Sequence, residues 1–163
     1  MRPLIILGTG LAGYTLAREY RKLNAERELV LISQDDGRSY SKPMLSNGLS
    51  KGKTTDAIAM ASAADMATQL KASVRSQVSV TAIDRAAQTI SLQAADGSSE
   101  TLAYGDLVLA VGADVFRPPL AGNGGERVYT VNDLEDYARF RNAIGDSGKR
   151  VLMIGGGLIG CEV

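Results

Sequence analysis

The chain has 163 residues, of which 45% are hydrophobic and 22% are charged, a composition typical of a folded domain with its own core. Its 18 basic and 18 acidic residues cancel, so no excess of positive charge predicts binding to nucleic acid or to an anionic membrane. The apolar runs are far shorter than the roughly 20 residues of a membrane-spanning helix, and the first residues lack the features of a signal peptide, which predicts a cytoplasmic protein.

The inventory of reactive side chains restricts the chemistry further. The chain contains no histidine and a single cysteine, Cys161. It therefore lacks the commonest general base, the commonest metal ligand and the Cys-x-x-Cys pair of a redox-active disulfide. An enzyme of this composition would depend on a bound cofactor for its chemistry.

The first predicted unit is a buried strand that runs into a glycine-rich turn. Residues 4–7 are apolar, and they are followed at once by the G-x-G-x-x-G pattern Gly8-Thr9-Gly10-Leu11-Ala12-Gly13. In this pattern Gly8 allows a tight turn, Gly10 allows the backbone to approach a pyrophosphate, and Gly13 allows the next helix to pack on the strand. The pattern predicts a dinucleotide-binding site.

An amphipathic helix from Leu11 to about Leu23 and an apolar strand at residues 29–32 complete a β-α-β unit. Dinucleotide sites of this type place an acid about 20 residues after the glycines, where it holds a ribose hydroxyl. This chain has Ser33 and Gln34 at the strand end and reaches an acid only at Asp35. Three interpretations stay open: Ser33 and Gln34 hold the ribose, Asp35 reaches back to it, or Asp35 belongs to a plain turn.

The next segment is a polar loop with a cation beside a proline. Pro43 favours an extended backbone at Lys42 and so gives the lysine a defined direction. In a loop beside a cofactor, this predicts a contact between Lys42 and a phosphate or a ring. Residues 47–61 are small, polar and poorly patterned, which predicts a flexible connection.

A helix is predicted to begin after Ser62, as its N-cap, and to end near Leu70. Three strands are then predicted at residues 77–83, 89–92 and 100–104. Together they form a β-meander at the place where a simple doubly wound fold has a helix.

Two further elements precede the end of the chain. Residues 106–113 predict a buried strand that runs into a turn at Gly112, where the backbone can approach another group closely. A helix is predicted from Leu134 to about Ile144, with Asn132 or Asp133 as its N-cap.

The chain closes on a repeat of its opening pattern. An apolar strand is predicted at residues 150–154, followed by a second glycine motif, Gly155-Gly156-Gly157-Leu158-Ile159-Gly160. The repeat predicts one domain over residues 1–148 and the first strand and turn of another over 149–163. Because the second unit stops one turn into its helix, we expect the sequence to be the N-terminal part of a longer protein.

With both motifs in place, the chain resembles the FAD-dependent pyridine nucleotide oxidoreductases, and among them the rubredoxin reductases. Residues 8–19 resemble the FAD fingerprint of the family, residues 39–46 its flavin-side loop, and residues 107–113 its second FAD motif. Residues 132–137 and 157–162 complete the resemblance, which covers the entire sequence. It implies an α/β fold in which a Rossmann-like FAD-binding domain, with a parallel sheet and a β-meander, precedes a Rossmann-like NAD-binding domain.

The resemblance also implies where FAD lies. The pyrophosphate would lie on residues 8–13, and the adenosine would lie near Ser33, Gln34 and Val80. Gly112 belongs to the second FAD motif, so it would also contact the cofactor. The nicotinamide nucleotide would lie on three glycines of the second motif: Gly155, Gly157 and Gly160.

Lys42 and Glu162 would lie beside the isoalloxazine ring, and here the chain departs from related proteins. Related ferredoxin reductases read R-P-P-L-S-K in the flavin-side loop, whereas this chain reads K-P-M-L-S-N at residues 42–47. The lysine that pairs with a glutamate near the flavin in those proteins is therefore absent at Asn47. A pair between Lys42 and Glu162 is the corresponding hypothesis for this chain.

The activity implied by the resemblance is hydride transfer from NADH to FAD, followed by single-electron steps to rubredoxin. In the family this electron transfer supports the hydroxylation of alkanes, and later segments complete both nucleotide sites. It needs no side-chain nucleophile, which agrees with the missing histidine and cysteine pair. Two alternatives stay open: a ferredoxin reductase component of an oxygenase, and a flavin- or nucleotide-binding sensor without turnover.

Overall fold

A computed structural model describes residues 1–145 and 149–157 of the chain. It contains two compact units, one formed by residues 1–40 and 60–112 and the other by residues 41–59 and 113–163. In chain order the elements are β1 (Leu4–Leu7), α1 (Leu11–Leu23), β2 (Leu29–Ile32), β3 (Ser39–Tyr40), α2 (Thr55–Ile58), β4 (Ala59–Ala61), α3 (Ala63–Leu70), β5 (Ser73–Arg75), β6 (Val78–Asp84), β7 (Thr89–Ala94), β8 (Ser99–Ala103), β9 (Asp106–Leu109) and α4 (Leu134–Ile144). Two short 3-10 helices lie at Lys42–Met44 and Gly125–Arg127.

The first unit is built on a four-stranded parallel sheet with the order β5-β2-β1-β9. Leu4 of β1 is opposite Leu29 of β2 on one side and Asp106 of β9 on the other. Every residue of β1 and β2 is buried. Both strands consist entirely of apolar residues because a central parallel strand is covered on both faces. The predicted β-α-β unit and the α/β fold class are confirmed.

Alternate residues of these strands face two separate apolar clusters, as the two-residue period of a strand requires. On one face, Ile6 and Leu31 pack with residues of α1 and α3, including Tyr14 and Met66. On the other face, the strands pack against the meander. This second cluster contains Ile5, Leu7, Val30, Ile32, Ile90, Leu92 and Tyr104.

The predicted meander and the helix before it are confirmed. Strands β6, β7 and β8 form an antiparallel sheet in that order, with an irregular register between Val80 and Ala82. Helix α3 begins after Ser62, whose hydroxyl accepts a hydrogen bond from the Asp65 amide. The Asp65 carboxylate accepts one in return from the Ser62 amide. This reciprocal arrangement fixes the first turn of the helix.

A single arginine side chain joins the ends of α1 and α3. The Arg21 guanidinium donates to the carbonyls of Leu70 and Lys71, at 2.6 and 2.8 Å, where α3 ends. It also donates to the carbonyls of Asn24 and Arg27, at 3.1 and 2.7 Å, just after α1. Carbonyls at a helix end have no partner within the helix, so the cation stabilises both ends.

Two strands differ from the sequence prediction. The strand predicted from residue 106 is formed as β9, but it ends at Leu109, which is 62% exposed, so its predicted burial and its extension toward residue 113 were wrong. Among the described strands, β9 pairs with β1 alone. The sequence prediction also missed β5, which has three residues and pairs with β2.

The flexible connection predicted over residues 47–61 was also wrong for the second half of that range. Helix α2 begins after Thr54, whose hydroxyl accepts a hydrogen bond from the Ala57 amide at 3.2 Å. Ile58 is buried, and β4 follows directly and pairs with β3. Thr54 as an N-cap is the sequence signal that would have predicted this helix.

In the second unit, α4 has its predicted bounds, and Asp133 rather than Asn132 is its N-cap. The Asp133 carboxylate accepts a hydrogen bond from the Asp136 amide at 2.7 Å. The Tyr137 hydroxyl donates to the Lys53 carbonyl at 2.6 Å, and the Arg141 guanidinium donates to the same oxygen. Helix α4 therefore fixes the end of the loop that follows Lys42.

The strand predicted over residues 150–154 is not formed. Residues 149–157 belong to no helix or strand, and the Leu152 side chain is 87% exposed. A strand is held by hydrogen bonds to a neighbouring strand, and no described strand pairs with this segment. The domain boundary near residue 149 stays a prediction.

None of the described helices combines the length and the apolar character that a membrane span requires.

Replacing Met66 by alanine tests the apolar cluster between the sheet and α3. The Met66 side chain is 0% exposed, whereas Met60 on β4 is 66% exposed. Because it leaves a cavity, Met66→Ala lowers the free energy of unfolding by about 2–5 kcal/mol. The matched variant Met60→Ala changes it by less than about 0.5 kcal/mol. Urea unfolding followed by circular dichroism measures both, and equal losses would contradict the described packing.

Candidate functional site

The carboxyl ends of β1, β2 and β9 meet at one edge of the parallel sheet. The chain continues from β1 through α1 to β2 on one side of β1, and β9 lies on the other side, so the strand order changes direction at β1. Open parallel sheets bind ligands in the crevice at such a point. The glycine motif that follows β1 therefore lies at the expected place.

Two glycines of the motif are required by close packing of the backbone. Gly8 has φ +109°, and a Cβ on it would lie 2.2 Å from the Ala110 carbonyl oxygen. A Cβ on Gly13 would lie 2.0 Å from the Gly8 carbonyl oxygen. The Gly8 amide also donates to the Ile32 carbonyl at 2.7 Å. The turn is thus held between the ends of β2 and β9, and larger residues do not fit there.

Gly10 is different, because the fold does not require a glycine at this position. Its φ of −67° is open to any residue, and within the described chain a Cβ on it would meet nothing within 4 Å. Gly10 is also the N-cap of α1 and carries no side chain to cap the first turn. The free N–H groups of Leu11 and Ala12 and the positive end of the helix dipole therefore favour an anion. The open space at Gly10 fits the approach of a pyrophosphate.

A chain of hydroxyl groups connects this turn to the end of β2. The Thr9 hydroxyl donates to the Ser33 oxygen at 2.7 Å, and the Ser33 hydroxyl donates to Asp35 Oδ1 at 2.5 Å. The Thr9 and Ser33 side chains are buried, and Gln34 is exposed. Asp35 Oδ1 also accepts from the Gly37 amide at 2.8 Å. Asp35 therefore forms a turn, as one of the alternatives predicted, and is connected through hydroxyl groups to the glycine motif. Which residue holds the ribose stays a prediction.

Tyr14 fixes the same turn from inside the protein, a role that was not predicted from the sequence. Its hydroxyl donates to the Gly37 carbonyl oxygen, and its ring is buried. Burial raises the pKa of the Tyr14 phenol above its ordinary value of 10.0, and the negative charge of Asp35 raises it further. The phenol therefore stays protonated and keeps donating its hydrogen bond. A tyrosine directly after the third glycine of the motif and a glycine after Asp36 were the available signals.

Val80 and Gly112 lie in the same unit as the glycine motif. Val80 is half-buried and packs against the second apolar cluster, next to the irregular register of β6. Gly112 has φ +73°, and among the described residues a Cβ on it would meet nothing within 4 Å. Gly112 thus has the positive φ that favours glycine. The contacts of both residues with a cofactor stay predictions.

Lys42 lies in the second unit, and its backbone differs from the prediction. It is the first residue of a 3-10 helix, and the extended residue is Ser41 before it. Pro43 fits the second position of that helix because its fixed φ suits a helix and its missing N–H is not needed there. The Lys42 side chain is exposed. Asn47 Oδ1 accepts from Lys51 Nζ at 3.3 Å.

The second glycine motif is described only in part. Gly155 has φ +111°, close to the φ of +109° at Gly8, and Gly157 has open space around it in the described structure. Gly160 and Glu162 lie outside the described residues, so the pair between Lys42 and Glu162 stays a hypothesis.

Comparison with known proteins assigns the chain to a family. The sequence model of the pyridine nucleotide-disulphide oxidoreductases matches residues 2–163. This chain belongs to that family. The family resemblance seen in the sequence is thereby confirmed.

Curated family relatives include two enzymes of the same name. The chain is 48% identical to the Rubredoxin-NAD(+) reductase of Alcanivorax borkumensis over 162 residues. It is 47% identical over 163 residues to the Rubredoxin-NAD(+) reductase of Acinetobacter baylyi. Each alignment covers 99% of this chain and 41% of the relative. The chain thus spans about two fifths of the length of these relatives.

Solved structures of oxidoreductases share the fold. A covalent putidaredoxin reductase–putidaredoxin complex superposes with a TM-score of 0.81 at 29% identity, covering 99% of this chain and 38% of the other. A NAD-dependent persulfide reductase from A. fulgidus gives a TM-score of 0.89 at 23% identity, covering 98% of this chain and 31% of the other. At this lower identity the second match supports the fold alone.

The raised pKa of Tyr14 predicts a specific pH dependence of stability. A folded-state pKa above the unfolded value of 10.0 means that the contribution of Tyr14 is complete below pH 10 and is lost as the pH rises above it. Tyr14→Phe leaves the Gly37 carbonyl without its donor, so at pH 8 it lowers the free energy of unfolding by about 1–3 kcal/mol. Between pH 10 and 11 the difference in unfolding free energy from the wild type narrows by about 1 kcal/mol.

Urea unfolding of both proteins at several values between pH 8 and pH 11 measures this difference. Because all other titrating groups are common to the two proteins, the narrowing isolates Tyr14. A difference that stays constant over the whole range would contradict the raised pKa.

Proposed function

We propose that the protein containing this chain is a flavoprotein that passes electrons from NADH through FAD to rubredoxin. The observation that carries the proposal is the open space at Gly10 at the start of α1. It fits a dinucleotide pyrophosphate, and it lies in a chain 48% identical to a Rubredoxin-NAD(+) reductase. When bound, FAD would supply the hydride acceptor and the donor of single electrons.

In this proposal the residues of the chain bind and orient the two nucleotides. The pyrophosphate of FAD lies on residues 8–13 and is held by the N–H groups of the first turn of α1, because these groups have no partner within the helix and the helix dipole favours negative charge. The adenosine would lie near Ser33, Gln34 and Val80. Gly112, in the segment after β9, would also contact the cofactor. Lys42 and Glu162 orient the isoalloxazine. NADH is held by Gly155, Gly157 and Gly160.

The lack of histidine agrees with this assignment of roles. Hydride and electron transfer need two redox groups in close contact, and they do not need a side chain that takes up a proton. The task of the protein is then to hold the groups and to exclude water. Cytoplasmic location and a role in alkane hydroxylation stay predictions from the sequence.

Two proteins are candidates for the electron acceptor. The sequence identity of 48% to Rubredoxin-NAD(+) reductase favours rubredoxin. The 29% identity to putidaredoxin reductase keeps a ferredoxin-type acceptor as the second candidate. A sensor without turnover is the third outcome that the experiment distinguishes.

An anaerobic titration of the purified protein tests the electron path. We expect a flavin absorbance spectrum that bleaches with NADH and returns when oxidised rubredoxin is added. Recovery with a ferredoxin but not with rubredoxin would identify the alternative acceptor. A yellow protein that NADH does not bleach would support the sensor, and a protein that binds no FAD would contradict the proposal.

Substitution of Gly10 separates ligand binding from folding. Gly10→Ala adds a methyl group to the open space, so we expect the free energy of unfolding without ligand to change by less than about 0.5 kcal/mol. The affinity for FAD falls about tenfold or more because the pyrophosphate can no longer approach the backbone. A tenfold decrease corresponds to about 1.4 kcal/mol of binding free energy. The change in flavin fluorescence on binding gives the affinity.

Gly124→Ala is the matched control. Gly124 also has an ordinary φ of −91° and open space within the described chain, but it lies outside both motifs. This variant is expected to keep both stability and FAD affinity. Equal FAD affinities of the Gly10 and Gly124 variants would contradict the placement of the pyrophosphate.

A further inference from the structure

The segment that begins at Lys42 is closed by hydrogen bonds of its own, and we call residues 42–53 the Lys42 loop. At its start, the Leu45 amide donates to the Lys42 carbonyl at 3.0 Å within the 3-10 helix. At its end, the Lys53 amide donates to the Gly48 carbonyl at 2.9 Å. The Lys42 loop and α4 belong to the same compact unit.

Apolar packing holds the chain on both sides of the middle of this loop, but not the middle itself. Leu45 and Ile58 are buried, and between them only Gly48 is buried. Gly48 has no side chain that could pack in an apolar cluster. The middle of the loop therefore depends on polar contacts.

Two side chains of α4 supply such contacts at a single oxygen, and we call them the α4 clamp. Tyr137 Oη donates to the Lys53 carbonyl at 2.6 Å, between residues 84 positions apart. The Arg141 guanidinium, one turn further along α4, donates to the same oxygen. A carbonyl oxygen has two lone pairs, so the α4 clamp uses both of them. The Tyr137 ring is only 1% exposed, and hydrogen bonds from a guanidinium are stronger than neutral ones.

The Tyr137 hydroxyl also lies against the middle of the loop. A Cβ on Gly48 would lie 3.1 Å from Tyr137 Oη and 3.0 Å from the Met44 carbonyl oxygen. The Gly48 backbone is therefore packed between the hydroxyl and the end of the 3-10 helix that begins at Lys42. A displacement of the hydroxyl would be passed through Gly48 to that helix, because closely packed groups transmit strain.

The simplest interpretation of these contacts is that they only stabilise the fold. Other contacts of α4 have that role, because Asp133 caps the helix and Arg139 pairs with Asp136. Those contacts are local to α4 and its cap. The α4 clamp instead reaches a loop that presents the exposed side chain of Lys42, and the stability of α4 does not require that connection.

We propose that Tyr137 and Arg141 are positioning residues that act through the Lys53 carbonyl, and that they hold the Lys42 loop so that Lys42 faces the isoalloxazine of bound FAD. The inference rests on the proposed function, because it takes from that proposal the place of Lys42 beside the isoalloxazine. It adds that α4, far from Lys42 in the sequence, sets the orientation of this lysine.

Amide hydrogen exchange of the full-length protein measures how firmly the loop is held. We expect Tyr137→Phe to speed exchange in residues 46–53 by about fivefold, because a hydrogen bond that holds the loop closed is lost. Arg141→Met has a similar effect. Arg141→Lys keeps a charged donor and has a smaller effect. Mass spectrometry of peptic peptides gives the exchange rates.

The rate at which NADH reduces the flavin measures the positioning role. In anaerobic stopped-flow experiments at saturating NADH, we expect Tyr137→Phe to lower this rate about tenfold, because small displacements at a reacting centre have large effects. The affinity for FAD falls by less than about threefold, because residues of the first unit hold the pyrophosphate and the adenosine in the proposed function.

Two matched controls lie in the same unit. Tyr129→Phe removes the hydroxyl of a tyrosine that is 42% exposed. Arg139→Met removes an exposed guanidinium from α4, next to the α4 clamp in the sequence. Both variants are expected to keep the loop exchange and the flavin reduction rate of the wild type.

A double variant tests whether the α4 clamp acts through Lys42. Lys42→Met is expected to slow flavin reduction by itself. If the clamp acts through this lysine, the combined Lys42→Met and Tyr137→Phe variant reduces its flavin within about threefold of the rate of Lys42→Met alone. If the clamp acts independently of Lys42, the two single effects multiply.

The outcomes separate this inference from the proposed function. If the loop exchanges faster but the flavin is reduced at the wild-type rate, the α4 clamp only stabilises the fold and the positioning role is overturned. Effects that multiply, or a Lys42→Met variant that reduces its flavin at the wild-type rate, overturn the action through Lys42. Arg141→Met gives the same test if Tyr137→Phe does not fold. If the wild type binds no FAD, the proposed function itself fails, and this inference fails with it.

Discussion

The close contact between backbone segments at the end of β1 is the constraint on which the rest of the structure depends. The Gly8 backbone lies against Ala110 after β9, and Gly13 lies against Gly8 itself. These contacts bring the first turn of α1 to the edge of the sheet, between its neighbouring strands. The start of α1, which is proposed to bind the pyrophosphate, therefore lies beside the end of β2.

The parts of the fold that could be predicted are those in which local pattern and burial agree. Strands β1 and β2 are apolar throughout because both faces are covered, and α3 carries its own capping residues. The elements that were missed depend on partners elsewhere in the chain. The three residues of β5 form a strand through pairing with β2, and β9 pairs with β1 alone among the described strands.

The same distinction applies to the candidate site. The glycines could be predicted because they occur at a fixed spacing in one turn, where close backbone contacts require Gly8 and Gly13. The connection from Thr9 through Ser33 to Asp35 could not, because it joins groups up to 26 residues apart and depends on the pairing of β1 with β2. The position of Tyr14 could be predicted from the helix, but its partner, the Gly37 carbonyl, depends on how the chain turns after Asp36.

The Arg21 side chain links the carboxyl-terminal ends of two helices in the first unit. One guanidinium donates to carbonyls at the ends of both α1 and α3, so removal of the Arg21 side chain would leave both helix ends without these donors at once. The carboxyl-terminal ends of the two helices are therefore coupled through a single cation on the side of the sheet that they cover.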